Sequence, residues 1–528
     1  MYRVPYIPVA IAVIAALAAL AVLLNSCFAG QPTDQTSKAR PERTASEDAK
    51  KPSEEVRSED RSEDRSEPLR SLVPVAHLTS TRESVSTEEL SQVRGLAVPR
   101  GYREATKESL GRSELESIDS AEAVMDHVSR TPGTLGLVPW DEVDPRVKAL
   151  AVDGEPLLQA DAADPEDYPL SPGDATGPES EELRRVVVGG DIVLDRGQYY
   201  MVIQQGMGLD FPLDGGHAAI TSRVPEPSIY SETGVIHQFT AERRGGTGEV
   251  REYLRGADLT LANFENPTIE AAVYHPDATT FTADLRLLPV LDQAGIDGVT
   301  LGNNHILDAG VAGLQETLVH LDDAGISHAG AGMDLAEARQ PMIFDVSGTR
   351  VGVLSYHGVP SYDWSWATQT AAGTAPLVES VMTEDIERLR PRVDLLVVMP
   401  HWGKEYIATP EPGQVELAHA AIDAGADMLI GGHAHWPKGI EVYRGKPIYY
   451  GVGNFLLDQS WSEETSTGIF AEVTLYEDEV IQTRPVPFVL LDYAQPNFLV
   501  PEAGGDRALR KMFSASLGPE FESYKAAR

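Results

Sequence analysis

Cysteine is almost missing from this 528-residue chain: there is one, Cys27. A disulfide framework within the chain and a multi-thiolate zinc or iron–sulfur site are therefore excluded. Basic residues are scarce beside acidic ones, 43 Lys+Arg against 81 Asp+Glu, for a formal net charge of −38. Such a surface repels phosphate backbones, which excludes nucleic-acid binding driven by counterion release, and it disfavours attachment to an anionic membrane through a basic patch. Apolar content is not lacking: 42% hydrophobic residues suffice for at least one large core and exclude wholesale disorder. At about 150 residues per domain the length fits two to four domains.

From Val4 to Leu24 the chain is almost uninterruptedly apolar, with Arg3 as the only earlier charge. About 20 apolar residues are enough to span a bilayer as a helix. The run ends in Leu24-Asn25-Ser26-Cys27, which resembles a bacterial lipoprotein signal in which the cysteine is lipidated; an uncleaved signal anchor is the alternative. Either way residues 1–27 predict export, with the remainder tethered outside the membrane of a bacterial cell. Residues 28–70, with the RSED-RSED-RSE repeat from Arg57 to Glu67, hold too few apolar side chains to bury a face and read as a solvated spacer.

Residues 71–172 read as a smaller accessory α/β region: LVPVAHLTS as a strand, AEAVMDHVSRTPGTLGLVPWDEV as helix, turn and strand, and VKALAVDGEPL as strand and turn. This stretch resembles part of one lobe of phosphate-type periplasmic substrate-binding proteins but carries no ligand motif, and a plain α/β spacer explains it equally well. A stretch rich in Asp, Pro, Glu and Gly marks the boundary, with residues 173–184 as a linker.

Residues 185–495 alternate buried strands with helices. RRVVVGG, LTLAN, DGVTLGN, DLLVVM and DMLIGG read as strands; VAGLQETLVHLDDAGI and VELAHAAIDAGA read as helices. MIFDV-SGT-RVGVLSY and GIEVY-RGK-PIYYG read as hairpins with Gly in the turn. The pattern predicts an α/β domain with a mixed sheet, and residues 496–528 read as a C-terminal tail.

The polar residues cluster where these strands end. Asp191 follows VVVGG, Asn263 and Glu265 close LTLA, Asn303, Asn304 and His305 close GVTLG, His401 closes LLVVMP, and His433 and His435 close MLIGG. In open α/β sheets ligands bind at the carboxyl ends of strands. A thiol-free set of Asp, Glu, Asn and His suits one or two divalent ions such as Mn, Fe or Zn. Each residue alone has a plain structural reading as a helix cap, a turn residue or a core histidine. Five such coincidences at five strand ends do not.

Six segments, GGDIVLDRG (189–197), LANFENP (261–267), LGNNHILDAG (301–310), PHWGKEY (400–406), GGHAHWPKG (431–439) and YGVGNFLLDQ (450–459), resemble in order the motifs of the CapA-like poly-γ-glutamate capsule synthesis family, a branch of the calcineurin-like metallophosphatase superfamily. The resemblance implies a four-layered α/β/β/α sandwich. It implies that Asp191 binds a first metal, that Glu265 replaces the usual bridging aspartate, that Asn304, His401 and His433 hold a second metal, and that His435 completes the first. It places His305 as the acid that protonates a leaving group. Asp308 then either orients His305 or answers a helix dipole, Arg196 either contacts an anionic substrate or pairs with a neighbouring carboxylate, and Asn454 lies near the site or in a turn. The superfamily places a His two residues after the first Asp; this chain has Val193, so the first site loses a ligand, a departure shared with CapA-like proteins.

Two readings follow. One is a metal-dependent hydrolase in which a metal-activated water attacks a phosphoester or a related polymer linkage while His305 donates a proton. The other is a non-catalytic, metal-retaining subunit that handles an anionic polymer for a membrane synthase.

Overall fold

The strand Leu183–Ile192 lies near the middle of a ten-stranded sheet. On one side it runs parallel to Leu259–Phe264, which is followed by Gly298–Thr300 and Ser327–Ala329, all parallel. On the other it pairs antiparallel with Thr467–Tyr476, and the sheet continues through Glu479–Leu491, Gln495–Leu499 and the ribbon His217–Pro227/Val235–Arg244. A second, six-stranded sheet holds the parallel strands Thr349–Gly358, Leu395–Trp402, Met428–Ile430 and Lys446–Tyr449, edged by the two hairpin partners Met342–Val346 and Ile440–Tyr443. The structure, a computed structural model, describes residues 69–159, 167–171, 175–179, 182–276, 279–500 and 504–525. The Val4–Leu24 segment, Cys27 and nearly all of the charged spacer lie outside the described residues. Among the described residues no helix is long and apolar enough to cross a membrane.

Period-two alternation sorts the side chains of each strand into layers. Val186, Val188, Leu259 and Leu261 of the large sheet meet Val351, Val353, Leu395 and Val397 of the small one in a core between the sheets. The opposite-facing Val187 and Ala262 pack under the helices Glu249–Arg255 and Gly310–Ala324 through Val250, Leu254, Leu314, Leu318 and Leu321. On the far side, Leu354, Leu396 and Val398 pack under Glu379–Leu389 and Pro412–Asp423. Helix, sheet, sheet and helix thus stack as a four-layered α/β/β/α sandwich.

Residues before the sandwich form a five-stranded sheet in the order Glu116–Ile118, Ala97–Pro99, Leu135–Pro139, Leu72–His77, Val147–Ala149, backed by the helix Ala121–Arg130. Its core takes in Leu183 and Ile481 of the sandwich, and Trp140 packs edge-on against Tyr476 with ring centroids 4.7 Å apart. Leu183 opens its strand and Asp191 stands near the end, so this smaller region docks at the end remote from Asp191. The segment after residue 495 is drawn into the sandwich: Gln495–Leu499 pairs with both of its sheet neighbours, and Leu509, Met512 and Phe513 of the helix Gly505–Ala515 enter the inter-sheet core.

Gly190 shows how tightly the strand end is built. A Cβ there would stand 1.7 Å from the carbonyl oxygen of Gly453, while the backbone N–H of the next residue, Asp191, donates to that same oxygen at 3.1 Å. Gly190→Ala is expected to push the 453 turn off Asp191 and lower the unfolding free energy by about 1–3 kcal/mol, the usual cost of overpacking; urea denaturation of wild type and variant checks it.

Candidate metal centre

The carboxyl ends of the parallel strands converge on one buried pocket. Asp191 and Glu265 are wholly buried, and His401, His433 and His435 nearly so. Two groups of donor atoms form there, each with all atoms within 4.8 Å of one another: Asp191, Glu265 and His435, and Glu265, His401 and His433. Glu265 belongs to both. Asn304 lies beside the second group, its Oδ1 2.8 Å from His401 Nε2, and His401 Nε2 is 3.3 Å from Glu265 Oε1.

The local backbone explains how one short segment offers two imidazoles. After Met428–Ile430, His433 and His435 both take left-handed conformations, with φ of 82° and 54°. Non-glycine residues pay of order 1–3 kcal/mol for such geometry, which persists only where surroundings over-determine it and which concentrates at functional sites. Gly432 makes room: a Cβ on it would lie 2.9 Å from Asp191 Oδ1 and 3.2 Å from His401 Nδ1.

A ring of amides positions the donors. Asn263 Nδ2 donates to Asp191 Oδ1 at 2.8 Å and lies 3.2 Å from His401 Nδ1, while its Oδ1 accepts from Asn303 Nδ2 at 3.1 Å. The Oδ1 of Asn303 in turn accepts the backbone N–H groups of His305 and Ile306. Asn454, on the strand Asn454–Leu456, places its Oδ1 2.9 Å from His435 Nδ1, which leaves Nε2 of that ring as the nitrogen without this partner. Asn263 and Asn303 were visible as strand-end residues, and Asn454 only as a residue near the site or in a turn; their supporting roles depend on contacts between segments far apart in sequence.

His305 borders the pocket. Its Nδ1 is 2.8 Å from Asp308 Oδ2, and the same oxygen accepts the Phe281 backbone N–H at 2.8 Å. The Phe281 ring lies 4.5 Å from the His305 ring and packs with Val193 and Leu457 in a small buried cluster. The position two after Asp191 is thus filled by apolar packing. Arg196 pairs with Asp458 Oδ1 at 3.0 Å and sits over Phe281, 5.9 Å from its centroid. Asp195, one residue earlier, was not singled out by sequence reasoning; buried, it takes the His275 Nδ1 at 2.8 Å and the Thr282 N–H at 2.9 Å, and so anchors the loop that brings Phe281 to His305.

The electrostatics are those of a pocket short of positive charge. Burial pushes Glu265 up to about 8, with the Asp191 charge adding to the effect. Burial acts on Asp191 in the same direction, but its hydrogen bond to His435 and the charge of that ring hold it below the usual carboxylate range. Burial lowers His401 to about 3 and His433 well below its ordinary value, so both rings are neutral, as a ligand must be. Burial opposes protonation of His435 too, yet Asp191 and Glu265 lift it to about 9. At His305 burial is outweighed by the Asp308 hydrogen bond and the Glu265 charge, and its pKa is raised. Both oxygens of Glu265 and Nδ1 of His433 are buried without a hydrogen-bond partner. Buried polar atoms are rarely left so, and oxygen and imidazole donors converging on one point fit a divalent cation.

A sandwich with carboxylates and imidazoles gathered at the ends of its parallel strands defines a protein built around a strand-end donor centre. The chain belongs to the bacterial capsule synthesis protein family PGA_cap, which matches residues 185–459, more than half of its length. It is 30% identical over 227 residues to the PGA biosynthesis protein CapA of Bacillus subtilis, covering 42% of this chain and 58% of that protein. It is 39% identical over 302 residues to a probable polyglutamine synthesis accessory protein of Mycobacterium tuberculosis, covering 52% of this chain and 74% of the relative. The chain therefore spans less than two thirds of the Bacillus relative's length. Among solved structures it is similar to the NAD nucleotidase of Haemophilus influenzae, at 13% identity and a TM-score of 0.34, over 66% of this chain and 60% of the other.

Protons held by Glu265 and His435 must leave when a cation takes their place. Affinity for Mn²⁺ is expected to rise with pH, by up to about a hundredfold per unit below the Glu265 value of about 8, and to flatten above the His435 value of about 9. Calorimetry at several pH values, in buffers of different ionisation enthalpy, reads both the affinity and the released protons; a pH-independent affinity contradicts the donor set.

Proposed function

We propose that this chain is an extracytoplasmic accessory protein of poly-γ-glutamate-type capsule polymer synthesis or processing, tethered to the bacterial membrane by its N-terminal segment, whose centre hydrolyses a phosphoester or a linkage of the polymer. The observation that carries the chemistry is Glu265, common to both donor groups with two unpartnered oxygens, beside a histidine oriented by a carboxylate. The names borne by the Bacillus and Mycobacterium relatives support the polymer assignment. The Val4–Leu24 run and Cys27 support the tether.

Asp191, Glu265 and His435 would hold one divalent ion, and Glu265, His401 and His433 with Asn304 a second. Bound there, divalent ions supply Lewis acidity, a lowered pKa for water and neutralisation of anionic oxygens. The protein supplies the rest. Asp308 fixes the His305 ring through Nδ1, which leaves Nε2 to face a substrate. Burial opposes the charged ring, but the Asp308 hydrogen bond and the neighbouring carboxylates outweigh it and favour the protonated form, the state a general acid needs to protonate a leaving group. Asp308 acts as a positioning residue. Arg196, its charge shared with Asp458, contributes to substrate binding only through what that pairing leaves free.

The packing of Val193 against Phe281 and Leu457 favours a second reading, a metal-retaining subunit that binds the anionic polymer for a membrane synthase without cleaving it. The two separate experimentally. The full chain with Mn²⁺, Fe²⁺ or Zn²⁺ is assayed on bis(p-nitrophenyl) phosphate and on γ-linked oligoglutamate. Hydrolase action predicts metal-dependent turnover of one of them that falls by about 100-fold or more in His305→Ala, with metal content unchanged by elemental analysis. Absence of turnover on both leaves the binding subunit.

A further inference from the structure

The row of imidazoles along the small sheet continues one strand beyond the donor groups. Thr349–Gly358 runs parallel beside Leu395–Trp402, and its His357 stands in register with His401. Residues paired across neighbouring strands share a face of the sheet, so the His357 side chain projects to the same side as that of His401. Its ring centroid lies 6.5 Å from that of His401, against 4.8 Å between His401 and His433. It belongs to neither donor group. The loop that carries Asn304 and His305 abuts the same strand end: a Cβ on Gly302 would lie 3.0 Å from the Tyr356 carbonyl carbon.

The hydrogen bonds around His357 decide which of its nitrogens is free. Its backbone is held on both sides, the N–H donating to the Ala375 carbonyl at 2.8 Å and the carbonyl accepting from the Leu377 N–H and from Trp366 Nε1. Nδ1 meets two buried hydroxyls, Ser365 Oγ and Thr374 Oγ1, each at 3.1 Å. The Ser365 hydroxyl donates to the Tyr362 carbonyl at 2.7 Å, and that of Thr374 donates to the Ser365 carbonyl at 3.3 Å. With their protons so used, both hydroxyl oxygens face the ring as acceptors. This network assigns the ring proton to Nδ1 and leaves a bare lone pair on Nε2. Nε2 is buried without a hydrogen-bond partner, and burial lowers the ring's pKa to about 3, so the ring stays neutral.

We propose that His357 reads the substrate: its Nε2 accepts a hydrogen bond from the N–H of a γ-glutamyl amide linkage bound beside Asn304 and His401. The inference rests on the polymer reading of the site and narrows it to one linkage. A neutral lone pair favours a donor. A phosphoryl or ester oxygen presents lone pairs of its own, and a buried acceptor left unpaired costs binding. Ser365 and Thr374 are positioning residues, because they hold the ring proton on Nδ1.

The test compares γ-glutamylglutamate with the analogue in which an ester oxygen replaces the linking N–H. Both are titrated by calorimetry into the full-length chain with Mn²⁺, with His305→Ala in every protein to suppress cleavage. The amide is expected to bind about tenfold or more tighter than the ester. In His357→Phe the two should bind within about twofold of each other, because the lone pair is gone. The pair Ser365→Ala and Thr374→Val keeps the ring but removes what holds its proton on Nδ1, and the preference for the amide should shrink. Thermal melts show which variants fold, and the hydroxyl variants carry the comparison if His357→Phe does not. Equal affinity for amide and ester in the parent protein, or an undiminished preference in the variants that fold, overturns the role of His357 and leaves the polymer reading standing. A parent protein that binds neither compound overturns that reading and this inference together.

Discussion

Two carboxylates, Asp191 and Glu265, are sealed from water within one pocket, and two like charges at low dielectric repel each other strongly unless a proton or a cation intervenes. In the apo protein the conflict is met by holding a proton on Glu265 and another on His435. Much of the surrounding architecture keeps that unfavourable pair together. Gly190 and Gly432 let backbone approach where any side chain would collide. Asn263 ties Asp191 to Asn303 in the loop after the strand Gly298–Thr300, and two strained histidines lean in from a third segment. A fold selected only for stability has no use for this arrangement, because replacing buried charge by packed hydrocarbon is often neutral or stabilising. The cost is met by the layers around it, whose cores of Val, Leu and Ile fill both faces of both sheets.

The division of labour along the chain follows from the same geometry. The site sits where the parallel strands of two sheets end, so only the loops on that rim reach it. The smaller N-terminal sheet attaches at the other end, through Leu183, Ile481 and the Trp140–Tyr476 contact. It leaves the mouth free and adds none of the donors in either group. The ribbon His217–Pro227/Val235–Arg244, by contrast, turns toward the rim: Glu232 at its tip accepts from the Thr409 backbone N–H and hydroxyl, each at 2.9 Å, and Tyr230 packs near Tyr406 and Trp461. Aromatic surface on the ribbon is therefore continuous with Tyr406, which touches His435.

Much of this could be read from the amino acids because buried parallel strands leave a plain signature. VVVGG, LTLA, GVTLG, LLVVMP and MLIGG are apolar runs, two of them interrupted by a single threonine, and each stops at the polar residue that faces the pocket. The hairpins were equally plain, with SGT and RGK between apolar arms. What stayed hidden has a common cause. The ribbon His217–Pro227 contains two prolines and largely exposed side chains, so no period-two pattern marks it. The strand Gln495–Leu499 is only five residues long and begins Gln-Pro, which reads as tail until its neighbours are known. Asp195 meets His275 and Thr282 some 80 residues away, and nothing local distinguishes it from a helix cap, which it also is. Sequence patterns report what a residue does for its own element; the amide ring and the Phe281 wedge are agreements between elements.

The acidity of the chain bears on what such a centre can bind. A formal charge of −38 sets a repulsive field for any polyanion at long range, but that field is screened beyond about 8 Å at physiological ionic strength. Within the pocket the balance is local. Two divalent ions would bring four positive charges against Asp191 and Glu265. The potential then reverses over the width of one cleft while the rest of the surface stays acidic. With both ions bound, the field would oppose a polyanion that approaches broadside, as a nucleic-acid duplex must, more than one that enters end-on or by a single group. A flexible polymer with one carboxylate per repeat, or a single phosphoester on a slender chain, meets that requirement.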